Sequence, residues 1–242
     1  MRPPITPQDA AHARHLVIHE DAALIAFNKP AGLAVQGGSG VTRSLEDLLA
    51  AFAKSNGKQP RLVHRLDRET SGVIVAARTK PAAAFLSEAF AGRNVKKTYR
   101  AIVCGGAPAP AEGEINAPLR KASRRGLDIM EVGADGQPAL TRYRTLATNG
   151  GAALLELEPE TGRMHQLRAH LASIGRPIAG DGKYGGLFRL GAVEVPTLML
   201  HALSLDLPHP AGGGLQLSAP PPPIFLETAR SLGLETSTAG QT

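Results

Sequence analysis

The sequence predicts an α+β fold with a mixed, mainly antiparallel sheet and flanking helices. Predicted strands outnumber predicted helices and do not alternate regularly with them, which argues against a doubly wound fold. No internal repeat or change in composition marks a linker, and 242 residues are enough to bury a large core. We therefore expect one domain over residues 16–233, between a flexible N-terminal arm at 1–15 and a disordered tail at 234–242.

Strand runs, caps and helix breakers predict the elements of the first part of the chain. Glu20-Asp21 is a turn between two short strands, Ser44 is a helix N-cap, and Gly92 ends a helix. In chain order, the predicted elements are strands at Leu16–Glu20 and Ala22–Phe27, a helix after Ser44, a strand at Gly72–Ala77, a helix from Pro81 to Gly92, and a strand at Thr98–Cys104.

The second part of the chain contains a predicted hairpin and two predicted helices. Asn149-Gly150-Gly151 is the turn of the hairpin, and Gly175 ends the first of the helices. The predicted elements are strands at Ala139–Thr148 and Ala152–Leu157, a helix at Met164–Ile174 with Met164, Leu167, Leu171 and Ile174 on its apolar face, strands at Leu198–Leu207 and Leu215–Ser218, and a helix after Pro220–Pro223 with Phe225, Leu226 and Ala229 on its apolar face.

The composition excludes several classes of protein. Hydrophobic residues make up 43% of the chain and charged residues 20%, which excludes global disorder. The apolar runs are too short to span a bilayer, and the N-terminus lacks the apolar stretch of a signal peptide. The only cysteine, Cys104, excludes an internal disulfide and a cysteine-rich zinc site. We expect a cytoplasmic protein.

The positive charge is concentrated in one stretch. The formal net charge is +6, and residues 61–100 hold nine Lys and Arg against three Asp and Glu. This stretch indicates either a polyanionic partner or a solvated basic face. It also contains Tyr99, whose ring could stack on a nucleic-acid base or pack at the edge of the sheet.

Asp67 lies in a charged loop between two apolar strands. Arg65 and Arg68 flank it, and neighbouring cations keep a carboxylate ionised. An ionised, positioned aspartate can act as a nucleophile or electrostatic stabiliser at an anomeric carbon. The alternative is that Asp67 caps a turn and pairs with an arginine.

A second polar stretch, residues 160–171, leads into a predicted helix. Thr161 and Gly162 precede free backbone N–H groups, which with Arg163 could bind a phosphate or a carboxylate. Arg168 is three residues from His165 and therefore on the same helical face. His165 and His170 are five residues apart, which is poor spacing for two metal ligands.

Six motifs follow one another in order along the chain. They are Asn28-Lys-Pro-Ala-Gly, His64-Arg-Leu-Asp-Arg-Glu-Thr-Ser-Gly72, Lys97-Thr-Tyr-Arg-Ala101, Thr161-Gly-Arg-Met-His-Gln-Leu-Arg168, Gly180-Asp-Gly-Lys-Tyr-Gly185, and Leu200-His-Ala202 with His209-Pro210. Together they resemble the RluA family of RNA pseudouridine synthases, over residues 16–230. Within the family, residues 28–40 are most similar to the RluC-type enzymes of large-subunit rRNA. The S4-type RNA-binding domain of many relatives has no counterpart before residue 16.

This resemblance implies a catalytic domain with the pseudouridine synthase fold, a basic central cleft and no cofactor or metal. It assigns Asp67 as the catalytic aspartate, Tyr99 as the residue contacting the uracil, and Arg168 as the partner of Asp67 in a salt bridge. Arg65 would enter the RNA where the flipped uridine leaves. The candidate RNA-binding residues are Arg65, His64, Arg93, Lys97, Arg163 and Lys183.

The expected function is isomerisation of specific uridines in structured RNA, either 23S rRNA or tRNA, by a monomeric enzyme. The first alternative is a non-catalytic RNA-binding or ribosome-assembly protein with the same fold. The second alternative is a metal-dependent hydrolase that uses His165, His170 and His201, although acidic ligands at suitable spacing are missing from its sequence pattern.

Overall fold

A computed structural model describes residues 4–38, 40–124 and 126–235. The elements are α1 (Pro7–His15), β1 (Val17–Glu20), β2 (Leu24–Lys29), α2 (Leu45–Leu48) with a 3₁₀ turn at Leu49–Phe52, β3 (Arg61–Leu62), β4 (Ser71–Ala77), α3 (Lys80–Ala91), β5 (Lys96–Cys104), β6 (Glu112–Asn116), β7 (Leu119–Arg124), β8 (Leu127–Val132), β9 (Leu140–Asn149), β10 (Ala152–Pro159), α4 (Gln166–Ser173), β11 (Arg189–Leu190), β12 (Val193–Glu194), β13 (Leu200–Pro208), β14 (Gly214–Ser218) and α5 (Pro223–Ser231).

The α+β class is confirmed. Antiparallel registers dominate the strand pairs, as in β2 with β4 and in β9 with β10. The described residues form two compact units, one from 1–97 with 202–220 and the other from 98–201 with 221–242. The single domain at 16–233 stays a prediction, and residues 236–242 of the predicted tail lie outside the described residues.

The first unit is built around strands β1, β2, β4 and β13, in that order. Helix α3 buries Leu86 in a cluster that also contains Leu24, Val73 and Leu205. Gly72 is the second residue of β4, a strand that is buried along its whole length, and its φ of 115° is one that residues with a side chain rarely adopt. A Cβ at this position would also clash with the backbone of Ala202, so close packing of the two strands requires a glycine.

The second unit contains strands β5, β10, β9 and β6, in that order. The predicted hairpin is confirmed, because Ala152 of β10 pairs with Asn149 of β9. Helix α4 contributes Leu167 and Leu171 to a core that also contains Leu155 and Phe225. This packing fixes α4 within the unit.

Two helices differ from the sequence prediction. Helix α1 lies within the segment predicted to be a flexible arm, so that prediction is wrong for Pro7–His15. The start of this helix is marked by a capping box, in which the side chains of Thr6 and Asp9 each accept the backbone N–H of the other residue. Helix α4 begins at Gln166 rather than Met164, because His165 has a left-handed backbone with a φ of 51°. Met164 is therefore outside the helix and, like Ile174, is exposed rather than on a buried face.

The predicted apolar face of α5 is also only partly buried. Phe225 and Ala229 lie in the core, whereas Leu226 is exposed. Within the described parts of the chain, no helix is long and apolar enough to cross a membrane.

Asp21 links the β1–β2 turn to the β13–β14 turn within the first unit. One carboxylate oxygen lies 2.8 Å from Nε2 of His19 and 3.0 Å from Nε2 of His209. The other accepts the N–H groups of Ala23 and Leu24. Partial burial acts to raise the pKa of Asp21, but the hydrogen bonds from His19, the two backbone amides and His209 outweigh it and lower the pKa well below its usual range.

The substitution Asp21→Asn should destabilise the protein at neutral pH by about 1–3 kcal/mol, since an amide nitrogen accepts no hydrogen bond from either histidine. A lowered folded-state pKa gives stability that is present above the unfolded pKa of about 3.9 and is lost as the pH falls. The difference between the wild type and D21N, measured by urea unfolding, should therefore shrink below about pH 4. A difference that stays constant from pH 7 to pH 3 would contradict this role.

Candidate active site

Asp67 lies in the loop between β3 and β4. Asp67 is half-buried, and the side chains of Leu66 before it and Thr70 after it in the loop are buried. The backbone carbonyl of Asp67 accepts the N–H of Thr70 at 3.1 Å, which closes a tight turn. Asp67 is therefore held by a loop that is packed on both sides of it.

A buried lysine anchors this loop. Lys29, at the end of β2, has no exposed surface, and its Nζ donates to the carbonyls of Pro30 and Leu33 at 2.9 Å and of Arg68 at 3.0 Å. Burial lowers the pKa of Lys29 to about 7, while the nearby carboxylates of Glu69 and Asp67 act to raise it. The sequence motif contained Lys29, but its anchoring role was missed.

Backbone contacts reinforce the anchor. The N–H of Gly32 donates to the carbonyl of Arg68 at 2.9 Å, and Nε of Arg68 donates back to the carbonyl of Gly32 at 3.0 Å. Arg68, expected to act on Asp67, thus bonds the 30–33 turn and lies 3.6 Å from Glu69. Gly32 has a φ of 86°, which favours glycine in this turn.

His64 packs inside the first unit. Its ring stacks on Phe90 with centroids 4.3 Å apart, and its Nε2 accepts the N–H of Val75 at 2.9 Å. Burial first and then the charge of Lys97 lower the pKa of His64 to about 3. His64 is therefore neutral at physiological pH, and its ring has a structural role in the first unit. A contact of His64 with RNA stays a prediction.

Strand β5 carries Tyr99 and Lys97. Tyr99 is half-buried, lies opposite Leu157 of β10 and packs against the core of the second unit. The next residue, Arg100, points to the other face of the sheet and pairs with Glu156 at 2.7 Å. Lys97 is half-buried, and Arg93 is exposed with a left-handed φ of 62° just after α3.

Arg168 is a buried side chain on α4. Its Nε and Nη2 donate to the two carboxylate oxygens of Asp181 at 2.7 and 2.8 Å, and this pair is almost completely buried. The guanidinium also lies over the ring of Tyr184, 5.2 Å from its centroid. Asp67 belongs to the other unit, so the ion pair between Asp67 and Arg168 stays a prediction.

Tyr184 connects Arg168 to the β7–β8 hairpin. Its hydroxyl accepts the N–H of Met130 at 2.8 Å and lies 2.9 Å from Nδ1 of His165. The hydroxyl of Tyr184 is therefore held by two partners, and the ring supports the guanidinium of Arg168. Asp181 and Tyr184 were quoted in a motif, but the sequence alone did not reveal that they hold Arg168.

The residues that precede α4 are mostly engaged in internal hydrogen bonds. Oε1 of Gln166 accepts from the Thr161 hydroxyl at 2.7 Å and from the Arg163 N–H at 3.0 Å. Nε of Arg163 donates to the carbonyl of Pro138 at 3.1 Å. This segment shapes the entrance to the helix, and a phosphate contact of Arg163 stays a prediction.

Histidines offered as metal ligands have other partners. Nδ1 of His170 lies 2.9 Å from the Thr141 hydroxyl, and Nε2 lies 2.9 Å from the Ala117 carbonyl. Burial lowers the pKa of His170, and His201 has no exposed surface. Among residues 4–38, 40–124 and 126–235, no group of three or more His, Cys, Asp and Glu side chains is placed to hold a metal ion.

A buried lysine thus anchors the loop of Asp67, and a buried aspartate holds the arginine of helix α4. Side chains fixed in this way by supporting contacts are typical of a catalytic site. The family model described as RNA pseudouridylate synthase matches residues 23–173. The chain belongs to this family, which confirms the resemblance of its motifs, and it is an RNA pseudouridine synthase, an isomerase.

Named relatives agree with this assignment. Pseudouridylate synthase RPUSD4, mitochondrial, from Xenopus tropicalis is 39% identical over 228 residues, covering 84% of this chain and 70% of the relative. Ribosomal large subunit pseudouridine synthase C from Vibrio cholerae is 37% identical over 224 residues, covering 90% of this chain and 70% of the relative.

A solved structure is also similar. The human protein titled RNA Pseudouridylate Synthase Domain Containing 4 superposes with a TM-score of 0.79 and 32% identity, covering 94% of this chain and 98% of that one. This likeness covers residues of both units and confirms the pseudouridine synthase fold.

The substitution Asp181→Asn should lower the free energy of unfolding by about 3–5 kcal/mol, since it leaves the Arg168 guanidinium buried and uncompensated. The matched control is Glu194→Gln, which breaks the exposed Arg189–Glu194 pair and should cost less than about 1 kcal/mol. Urea unfolding of both variants measures the two losses in free energy of unfolding. Equal losses would show that the buried Arg168–Asp181 pair stabilises the protein no more than an exposed pair does.

Proposed function

We propose that Asp67 acts at the ribose of the target uridine, that Tyr99 contacts the uracil, and that Arg168 orients the catalytic carboxylate. The reaction breaks the N1–C1′ bond, turns the uracil, and joins C5 to C1′, so no atoms or electrons are gained or lost. Asp67 is either the nucleophile at C1′ or the base at C2′, and both routes need a carboxylate fixed in place. The observation that carries this proposal is the loop of Asp67, which the buried Lys29 anchors through the Arg68 carbonyl.

The proposed roles of Tyr99 and Arg168 follow from how firmly their side chains are held. Tyr99 is half-buried against the core, so its ring loses little further freedom on contacting a base. Arg168 is fixed by Asp181, whose two carboxylate oxygens accept from Nε and Nη2 of the planar guanidinium. We propose that this held guanidinium forms the salt bridge that orients Asp67.

We propose large-subunit rRNA as the substrate, with tRNA as the second candidate. The support is the printed name of the relative from Vibrio cholerae, a ribosomal large subunit pseudouridine synthase. Target uridines must leave their stack, which costs a few kcal/mol that contacts to the RNA backbone offset. Exposed side chains that suit phosphate contacts are those of Arg65, Arg93 and Lys183. A cytoplasmic location and a monomeric state stay predictions.

The substitution Asp67→Asn should reduce pseudouridine formation by at least about 10³-fold, since an amide can act neither as nucleophile nor as base. RNA affinity should change little, because the side chain keeps its size. Pseudouridine mapping of rRNA and tRNA from cells lacking the protein, complemented with the wild type or with D67N, measures both the loss and the target site.

The matched control for this test is Glu69→Gln, which removes an exposed carboxylate two residues away in the same loop. E69Q should retain pseudouridine formation. Normal modification by D67N would overturn the proposed role of Asp67. Loss of modification in both D67N and E69Q would show that the loop, rather than the Asp67 carboxylate, is what the reaction needs.

The double substitution Arg93→Met with Lys97→Met should weaken RNA binding and make its salt dependence shallower. Each phosphate contact contributes about 0.7–0.9 to the slope of log K against log salt concentration. Filter binding to a transcribed rRNA fragment between 50 and about 200 mM salt measures the slope. Lys54→Met, at an exposed lysine outside the basic stretch, is the control, and an unchanged slope in the double variant would contradict the role.

A further inference from the structure

Leu187 and Phe188 form an adjacent pair of exposed apolar side chains in the second unit. They are 54% and 55% exposed, the highest values among the large apolar side chains that the structure describes. Single exposed apolar residues are common on protein surfaces, whereas Leu187 and Phe188 are consecutive in the chain and each is more than half exposed. We refer to these two residues as the apolar patch. Neither residue takes part in the core or in the candidate active site.

The backbone that carries Leu187 and Phe188 is held by hydrogen bonds. The carbonyl of Leu187 accepts the N–H of Gly180 at 2.9 Å, and the carbonyl of Phe188 accepts the N–H of Val195 at 2.9 Å. The N–H of Leu187 also lies 3.4 Å from Sγ of Cys104. The backbone is therefore tied on both sides, and the two side chains are presented to solvent by a rigid segment.

The ring of Phe188 lies close to a glycine. A Cβ added to Gly182 would lie 3.3 Å from Cζ and 3.5 Å from Cε2 of Phe188, so a glycine at this position leaves room for the edge of the ring. Of the other phenylalanines, Phe27, Phe52 and Phe225 are buried, and Phe90 stacks on His64. Phe188 is thus a supported aromatic surface that faces solvent.

Lys183 and Asp181, the aspartate that holds Arg168, lie in the same loop as Leu187 and Phe188. Lys183 is exposed, and its N–H donates to the Asp181 carboxylate at 3.1 Å. The carbonyl of Asp181 accepts the N–H of Gly186 at 2.9 Å, one residue before Leu187. The same loop therefore presents an apolar pair and a cation outward and holds the partner of Arg168 inward.

We propose that Leu187, Phe188 and Lys183 form a docking point for an unpaired nucleotide of the substrate RNA, separate from the target uridine. The base stacks on the Phe188 ring beside Leu187, and Lys183 attracts the adjoining phosphate. The proposal deepens the proposed function, since its ligand is the RNA on which Asp67 is proposed to act.

An unpaired nucleotide fits this patch better than a protein does. A stable protein interface buries about 800 Å² on each partner, far more than two side chains supply. One aromatic ring is sufficient for one base, and RNA is recognised mainly at loops and bulges whose unstacked bases are free to stack on side chains. The cation beside the ring matches the phosphate that accompanies each base.

A tryptophan at the patch tests the stacking directly, because the chain contains no tryptophan. In Phe188→Trp, the indole fluorescence should be quenched by a ten-nucleotide oligouridylate and not by inorganic polyphosphate of equal charge, since only the oligouridylate carries bases. The control is Leu226→Trp on α5, at another exposed apolar position, whose fluorescence should not respond to bases. Equal responses to the two polyanions, equal responses of the two variants, or no response of F188W would each overturn the proposal.

Kinetics with an rRNA fragment supply the second readout. Phe188→Ala should raise KM by about 5- to 100-fold, the effect of losing one base stack, with a much smaller change in kcat. Phe188→Tyr should restore the wild-type KM, and Phe85→Ala, at an exposed phenylalanine of α3, should leave both constants unchanged. An unchanged KM in F188A, or a change in oligomeric state by light scattering that accounts for the loss, would overturn the proposal.

The two proposals fail in different ways. Wild-type protein that forms pseudouridine while F188A keeps a normal KM would leave the proposed function intact and remove the docking point. Base-dependent quenching of F188W together with full activity of D67N would retain the docking point and remove the proposed role of Asp67.

Discussion

The position of Asp67 depends on an ammonium group that water does not reach. Burying an ion costs several kcal/mol unless hydrogen bonds replace its hydration, and Lys29 obtains three from the carbonyls of Pro30, Leu33 and Arg68. Two of these carbonyls belong to the turn after β2, and the third adjoins Asp67. Because the ammonium bonds all three at once, the strand end and the loop of Asp67 are fixed relative to each other. The pKa of about 7 for Lys29 shows that burial outweighs the attraction of Glu69 and Asp67.

The second unit fixes the guanidinium of Arg168 by a different chemistry. Arg168 has a planar fork that fits both oxygens of Asp181, whereas a lysine would contact the carboxylate as a point charge. The Tyr184 ring supports the flat face of the guanidinium, and the Met130 N–H holds the Tyr184 hydroxyl. A side chain held along one edge and one face has few conformations to lose on meeting a substrate. Preorganisation of this kind lets electrostatic stabilisation act without reorganisation during the reaction.

The sequence predicted what depends on neighbouring residues and missed what depends on distant ones. Caps, turns and apolar runs are local, so the Ser44 cap and the β9–β10 hairpin were predicted correctly. The Lys29 contact with Arg68 joins residues 39 positions apart, and no periodicity reveals it. His64 was predicted to bind RNA as part of its motif, and the stacking of its ring on Phe90 is a contact that the sequence does not show. The start of α4 was misplaced because the left-handed backbone of His165 is rare outside glycine and leaves no mark in a pattern of apolar residues.

The basic stretch of residues 61–100 divides into internal and outward-facing cations. Arg68 bonds the Gly32 turn, and Arg78 and Arg100 pair with Glu20 and Glu156. These side chains stabilise the fold, and their charge is largely neutralised where it lies. The exposed members of the stretch are Arg61, Arg65, Arg68, Lys80, Arg93 and Lys96, and Lys97 is half-buried. Since counterions leave the RNA only where an accessible cation neutralises a phosphate, the attraction for RNA depends on these side chains rather than on the net charge of the chain.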